Sequence, residues 1–159
     1  MPELRYALSL KQPWATLLVH GLKCIEIRSW ATGLRQDVLI HAARIPDSRP
    51  EAWKLVPDDL QDLARLVGGV VGSAELTGCI PYRTPAAFAA DRALHLNDPS
   101  WFRPRLHGFV FARTAQRPFS RCPGNVRFFR VTEESPDDRH IVRAPDARPA
   151  RQRARRHGG

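Results

Sequence analysis

The chain has few cysteines, few acidic residues and no long apolar run. Its 159 residues include three scattered cysteines, Cys24, Cys79 and Cys122, which fit neither a disulfide framework nor a zinc site. No run is long enough to span a membrane, and the N-terminus lacks a signal-peptide pattern. Histidines and acidic residues do not cluster at metal-ligand spacing. We therefore expect a cytoplasmic protein with no membrane association, no cofactor and no metal site.

Acidic residues are outnumbered, 16 against 25 lysines and arginines, which gives a formal net charge of +9. The imbalance is greatest from Pro99 to Thr132, where seven arginines and no acidic residue occur. A polyanionic partner, RNA or another single-stranded nucleic acid, fits this charge. A coding bias of the source is an alternative explanation for part of the preference for arginine over lysine. Protein partners are unknown from the sequence, and a protein-interaction module that uses the C-terminal arginines is a third option.

Hydrophobic periodicity predicts short strands separated by a helical insertion. Strands are expected at 6–10, 23–30, 37–42, 70–80, 109–113 and 126–131, and helices at 14–20, in two pieces within 48–67, and at 84–94. This order predicts an α+β fold, a small mixed β-barrel of about five to six strands decorated by short helices. We expect one domain over residues 4–132. Residues 133–159, rich in proline and arginine, are predicted to be a disordered basic tail.

One predicted strand carries charged residues on a single face. It follows Gly21, which is expected to end a helix, and alternation places Glu26 and Arg28 together, opposite two isoleucines. These charges must face solvent or a cleft, and a weak surface ion pair explains them as well as a site does. Strict alternation puts Lys23 on the other face. Lys23 follows the glycine turn, where strand geometry is not yet regular, so alternation does not fix the direction of its side chain. That Lys23 lies in one site with Glu26 and Arg28 is therefore a hypothesis.

Five further residues are candidates for the same cleft. Trp30 ends the strand on the side of Glu26 and could stack on a base, whereas Trp14 fits a core position better. His41 could act as a general acid or base, and a hydrogen-bonded core histidine is the alternative. Ser9 and Gln12 are expected to line the cleft.

Six segments, in order along the chain, resemble the ASCH domain family. Its hallmark is a G-x-K-x-x-E-x-R core preceded by Q-P-W-A, and both occur here, within 21–28 and 12–15. The other similar segments are L-I-H-A at 39–42, V-V-G-S-A-E-L at 70–76, and two closing strands within 107–111 and 124–131. The resemblance runs from about residue 4 to residue 132.

The resemblance implies a PUA-like β-barrel with a cleft beside the core strand, and a role in binding RNA or nucleotides. The expected binding set is Ser9, Gln12, Trp14, Lys23, Glu26, Arg28, Trp30 and His41. In this interpretation Lys23 and Arg28 hold a phosphate, while Glu26 orients Arg28 or accepts a hydrogen bond from a base.

Some relatives of similar fold are ribonucleases or amidohydrolases acting on acylated cytidine. In the amidohydrolases a lysine and a threonine of the core motif carry the chemistry. The lysine corresponds to Lys23, but Glu26 occupies the threonine position, so that activity is not transferred to this chain. The alternative function is a hydrolase acting on RNA or on a modified nucleoside, with Glu26 or His41 as the base and Lys23 stabilising negative charge.

Overall fold

The computed structural model describes residues 3–133, which form an α+β fold of six strands and short helices. The strands are β1 (Glu3–Leu10), β2 (Ile25–Arg28), β3 (Asp37–Ala42), β4 (Gly69–Tyr82), β5 (Leu106–Arg121) and β6 (Phe129–Glu133). The helices are α1 (Trp14–Val19), α2 (Pro50–Trp53), α3 (Pro85–Ala90) and α4 (Arg92–His95), with 3-10 turns at Asp58–Leu60, Leu63–Arg65 and Pro99–Trp101. Residues 134–159, nearly all of the predicted disordered tail, lie outside the described part of the chain.

The six strands form one mixed sheet in the order β2-β5-β4-β3-β1-β6. Only β1 and β3 pair in parallel, and the other pairs are antiparallel. Within residues 3–133, β2 pairs only with β5 and β6 only with β1, so the sheet is open and the expected closed barrel is wrong. Short glycine-rich strands indicate a curved sheet. Closure into a barrel also requires the two end strands, β2 and β6, to pair with each other, and the hydrophobic periodicity of the sequence does not predict which strands pair.

The long strands β4 and β5 bend through bulges, as the glycines of β4 predict. Their register shifts at three places along the pair. At the shift between Ser73 and Glu75, β5 carries an extra residue, and Arg113 lies there with φ 48°. Its Nε forms an ion pair with Glu75 Oε2 over 3.0 Å. Such bulges increase the local twist and re-aim side chains.

The main core lies between α1 and one face of the sheet. All six residues of α1 are buried, and Phe109 and Phe111 of β5 pack in the same cluster. The helix ends at Val19 and its C-cap is His20; the next residue, Gly21, has a φ of 75°, and the Leu22 N–H bond to Leu17 O completes a glycine-containing capping motif. This cap directs the chain into β2. Among the described residues, no helix is long and apolar enough to span a membrane.

Candidate functional site

A cleft of about 790 Å³ opens beside β2. Its walls come from the ends of β1 and β2, the segment after β3, the turn at Pro99–Trp101 and the segment before β6. The structure places five of the eight predicted site residues on its lining: Ser9, Trp14, Glu26, Arg28 and Trp30. Gln12, Lys23 and His41 are buried away from its surface.

Glu26 and Arg28 form the floor of the cleft. Glu26 is 8% exposed, and its Oε1 accepts a hydrogen bond from the backbone N–H of Ile27 over 3.0 Å. The Arg28 Nη2 lies 3.9 Å from Glu26 Oε2 and donates a hydrogen bond to the backbone oxygen of Ser9. Two fixed partners therefore hold the guanidinium at the cleft surface, where its side chain is 18% exposed.

Lys23 lies directly behind this floor. Its Nζ is 3.8 Å from Glu26 Oε1, donates to the backbone oxygen of His95 over 2.6 Å and lies 4.9 Å from the centroid of the Trp14 ring. Burial lowers the pKa of Lys23 to about 8, although Glu26 opposes the shift. The three charged head groups therefore do meet, but Lys23 is 0% exposed and acts on Glu26 from beneath. In this conformation Lys23 has no exposed surface, and its direct contact with a phosphate stays a prediction.

His41 supports the cleft from behind Ser9. Its ring is 1% exposed, with Nδ1 2.9 Å from Ser9 Oγ and Nε2 2.7 Å from the backbone oxygen of Cys122. Since a carbonyl oxygen only accepts, these contacts assign the proton to Nε2 and leave Nδ1 to accept from the Ser9 hydroxyl. This geometry agrees with the core-histidine alternative.

Gln12 has a structural position. Its amide nitrogen donates to Leu66 O over 3.0 Å, and its amide oxygen accepts from Thr16 N–H over 3.0 Å. The side chain is 0% exposed. Gln12 thus joins the start of α1 to the turn at Leu63–Arg65 and does not contribute to the cleft.

The two predicted tryptophans differ in exposure. Trp14 is 6% exposed and donates its indole N–H to Asp47 Oδ2 over 2.9 Å. Trp30 is half-buried, with edge contacts to Phe109 and Phe128 at centroid distances of 4.9 and 5.5 Å. The Arg127 guanidinium lies over its ring at 5.0 Å. Trp14 belongs to the main core cluster, as predicted, although both tryptophans line the cleft.

Sequence reasoning missed a second charged group on the cleft wall. Arg49 binds Asp47 through Nη2 at 2.7 Å and Nε at 3.1 Å, and its guanidinium lies 3.6 Å from the centroid of the Trp101 ring. Trp53 donates its indole N–H to the backbone oxygen of Asp47 over 2.7 Å. The only signal in the sequence is the short D-x-R pattern after β3, since Trp101 lies 52 positions beyond Arg49.

The Asp47 carboxylate predicts an acid-dependent loss of stability. Hydrogen bonds from Arg49 and Trp14 outweigh its burial and lower its pKa from 3.8 to about 2. A depressed folded-state pKa stabilises the fold above pH 3.8, and this contribution disappears as the pH falls through 2. Asp47→Asn is expected to lower the free energy of unfolding by about 2 kcal/mol at pH 7, measured by urea denaturation, and by much less near pH 2.

The exposed Asp59 provides the matched control. Asp59→Asn is expected to change the free energy of unfolding by less than about 0.5 kcal/mol at either pH. A loss in Asp47→Asn that stays the same from pH 7 to pH 2 would contradict the assignment of a stabilising carboxylate.

Comparisons with known proteins agree with this architecture. The family model described as ASCH domain matches residues 8–120. The crystal structure of ASCH from Zymomonas mobilis is 14% identical, with a TM-score of 0.53, and the match covers 73% of this chain and 72% of that chain. Two single-substitution variants of that protein give TM-scores of 0.54 and 0.58 at 14% and 12% identity, covering 73% and 79% of this chain and 74% and 87% of theirs. No curated protein sequence matches. The structural likeness shows the fold alone.

Proposed function

The chain belongs to the ASCH domain family, and from that premise and the cleft we propose that it binds single-stranded RNA or a nucleotide beside β2. One observation carries this proposal: Arg28 is held at the cleft floor, and Trp30 lies on the wall of the same cleft. An anchored guanidinium and an accessible indole are the groups that bind a phosphate and a base.

Arg28 is suited to a phosphate because its orientation is already fixed. A guanidinium has five N–H donors in a planar fork, so the bond to Ser9 O leaves donors for a phosphate oxygen. Glu26 repels phosphate, and its place beside Arg28 therefore fits an orienting role or a hydrogen bond from a base amino group. Lys23 offsets the charge of Glu26 from behind.

The charge of the cleft also favours an anion. Its lining contains four basic side chains and two acidic ones: Lys11, Arg28, Arg49 and Arg103 against Glu26 and Asp47. Beyond the cleft, exposed arginines of the acid-free segment include Arg105, Arg121 and Arg130. These arginines supply the sequence-independent attraction to a nucleic-acid backbone. The arginines from 148 to 156, proposed to add to it, lie outside the described residues.

Binding of labelled single-stranded RNA, followed by fluorescence anisotropy over a range of salt concentrations, tests the proposal. Arg28→Ala is expected to lower affinity roughly tenfold or more, and to reduce the slope of log affinity against log salt by about 1. Trp30→Ala is expected to lower affinity about tenfold with little change in that slope, because stacking releases no counterion.

Arg65→Ala is the matched control, since Arg65 is exposed and does not line the cleft. It removes the same charge as Arg28→Ala and is expected to change affinity by less than about threefold. Absence of RNA binding by the wild-type protein at low salt would overturn the proposal.

A hydrolase is the second candidate, favoured by the carboxylate of Glu26 in the cleft with a buried lysine of lowered pKa behind it. Buried groups with a shifted pKa, such as Lys23, are concentrated at catalytic sites. His41 is less suited to the role of base, because both ring nitrogens have partners and the ring is buried. Turnover of labelled RNA or acylated cytidine that is lost in Glu26→Gln and Lys23→Ala would support an enzyme. No turnover, or turnover unchanged by both substitutions, would eliminate it.

A further inference from the structure

We propose that Arg49 and Trp101 form a second base-stacking subsite, so that the ligand is a single-stranded oligonucleotide of at least two nucleotides. This inference rests on the proposed function, and it assigns a ligand-binding role to a part of the cleft outside the family core motif.

The stacking surface is the guanidinium of Arg49. One side of it lies on the Trp101 ring, at 3.6 Å from the centroid, and the Asp47 carboxylate fixes its plane through Nε and Nη2. The Arg49 side chain is nevertheless 44% exposed and lines the cleft. A planar cation that is held on an aromatic ring and is partly exposed to a cleft is a platform for a nucleobase.

The arrangement repeats the one at Trp30. There too an arginine lies over an indole, with Arg127 at 5.0 Å from the ring centroid, and both tryptophans line the same cleft. The two pairs come from separate parts of the chain, 30 with 127 and 49 with 101. The ion pair with Asp47 holds the guanidinium without Trp101, so that ion pair does not by itself account for the stacked tryptophan.

A series of contacts connects the proposed subsite at Trp101 with Arg28 on the cleft floor. Trp101 meets Trp14 edge-on at 6.3 Å, Trp14 lies 4.9 Å from the Lys23 ammonium, and Lys23 is paired with Glu26. Glu26 is in turn paired with Arg28, the proposed phosphate ligand. Asn97 and Ser100, which also line the cleft, supply polar groups for a base edge near Trp101. The cleft, at about 790 Å³, falls in the upper part of the usual range for ligand sites.

The full chain, titrated with adenosine 5′-monophosphate and with 5′-phosphorylated diadenylate, tests this inference by isothermal titration calorimetry. The wild-type protein is expected to bind the dinucleotide about tenfold more tightly than the mononucleotide, because a second base stacks. Arg49→Ala and Trp101→Leu are each expected to remove most of this tenfold gain. Trp101→Leu keeps the contact between Arg49 and Asp47, and cooperative urea denaturation of both variants shows that each is folded.

Arg49→Lys and Arg65→Ala separate stacking from charge. Arg49→Lys keeps the cation but not the plane, so it is expected to lose the dinucleotide gain, whereas Arg65→Ala is expected to keep it. Dinucleotide binding that is stronger than mononucleotide binding and unaffected by Arg49→Ala and Trp101→Leu would overturn the subsite and leave the proposed function standing. A wild-type protein that binds neither ligand nor longer RNA would overturn both.

Discussion

Raising the pH from 7 to 10 is expected to stabilise the wild-type protein by about 2 kcal/mol relative to a Lys23→Met variant. Burial lowers the pKa of Lys23 from 10.5 to about 8, so between these values the unfolded chain binds more protons than the folded one. Stability therefore rises with pH across this window, because deprotonation removes the cost of the buried ammonium. Urea denaturation of both proteins at pH 7, 8, 9 and 10 measures the difference.

Two other groups titrate in the same range with the opposite sign. Burial raises the pKa of Cys122 and, together with Asp91, that of Tyr82, so each lowers stability as the pH rises. Because both are present in wild type and variant, their contributions cancel in the difference. Lys54→Met is the control, since Lys54 is exposed, and its difference from wild type is expected to stay constant. Parallel curves for wild type and Lys23→Met would contradict a buried ammonium at Lys23.

The buried ammonium also bears on the proposed function. Lys23 is fully buried with its ammonium 3.8 Å from the Glu26 carboxylate in the cleft, and we propose that it sets the electrostatics of the cleft. A Lys23→Met variant that stays folded but binds RNA more weakly would show that the positive charge of Lys23, which offsets the negative charge of Glu26, is needed for binding.

Local patterns predicted the elements that depend on neighbouring residues. The strand expected at 37–42 is β3, Asp37–Ala42, because its apolar run is bounded by turn residues on both sides. The helix stop at Gly21 was likewise predictable, since its φ of 75° is one that glycine adopts without strain. The extension of β5 from the expected end at residue 113 to Arg121 was not predictable. Its second half is exposed and gains its strand structure from pairing with distant residues of β4.

The candidate site was predictable to the same extent. Alternation along β2 correctly placed Glu26 and Arg28 on one side, but it put Lys23 on the other. The rule fails there because Lys23 precedes the strand, and its N–H still bonds back to Leu17 O of α1. The Arg49–Trp101 contact could not have been predicted, since it depends on how two separate loops pack against Trp14.

The close packing of α1 on the sheet leads to the largest expected loss of stability, in Gly72→Ala. A Cβ atom at Gly72 would lie 2.5 Å from the backbone oxygen of Ala115 and 2.6 Å from both methyl carbons of Val19. The added methyl group must therefore displace α1 on one side and the bulged part of β5 on the other. We expect a loss of about 3 kcal/mol in the free energy of unfolding, measured by urea denaturation.

Two further variants test this mechanism. Gly33→Ala is expected to change stability by less than about 0.5 kcal/mol, because no atom lies within 4 Å of its Cβ position. Adding Val19→Ala to Gly72→Ala removes the contact with α1 but not the one with the Ala115 oxygen. The double variant is thus expected to be less destabilised than the sum of the single losses, by about 1 kcal/mol. If the losses of the two single variants simply add in the double variant, the clash between the Gly72 Cβ and Val19 of α1 is contradicted. The contact with α1 would then not be the reason that residue 72 must be glycine.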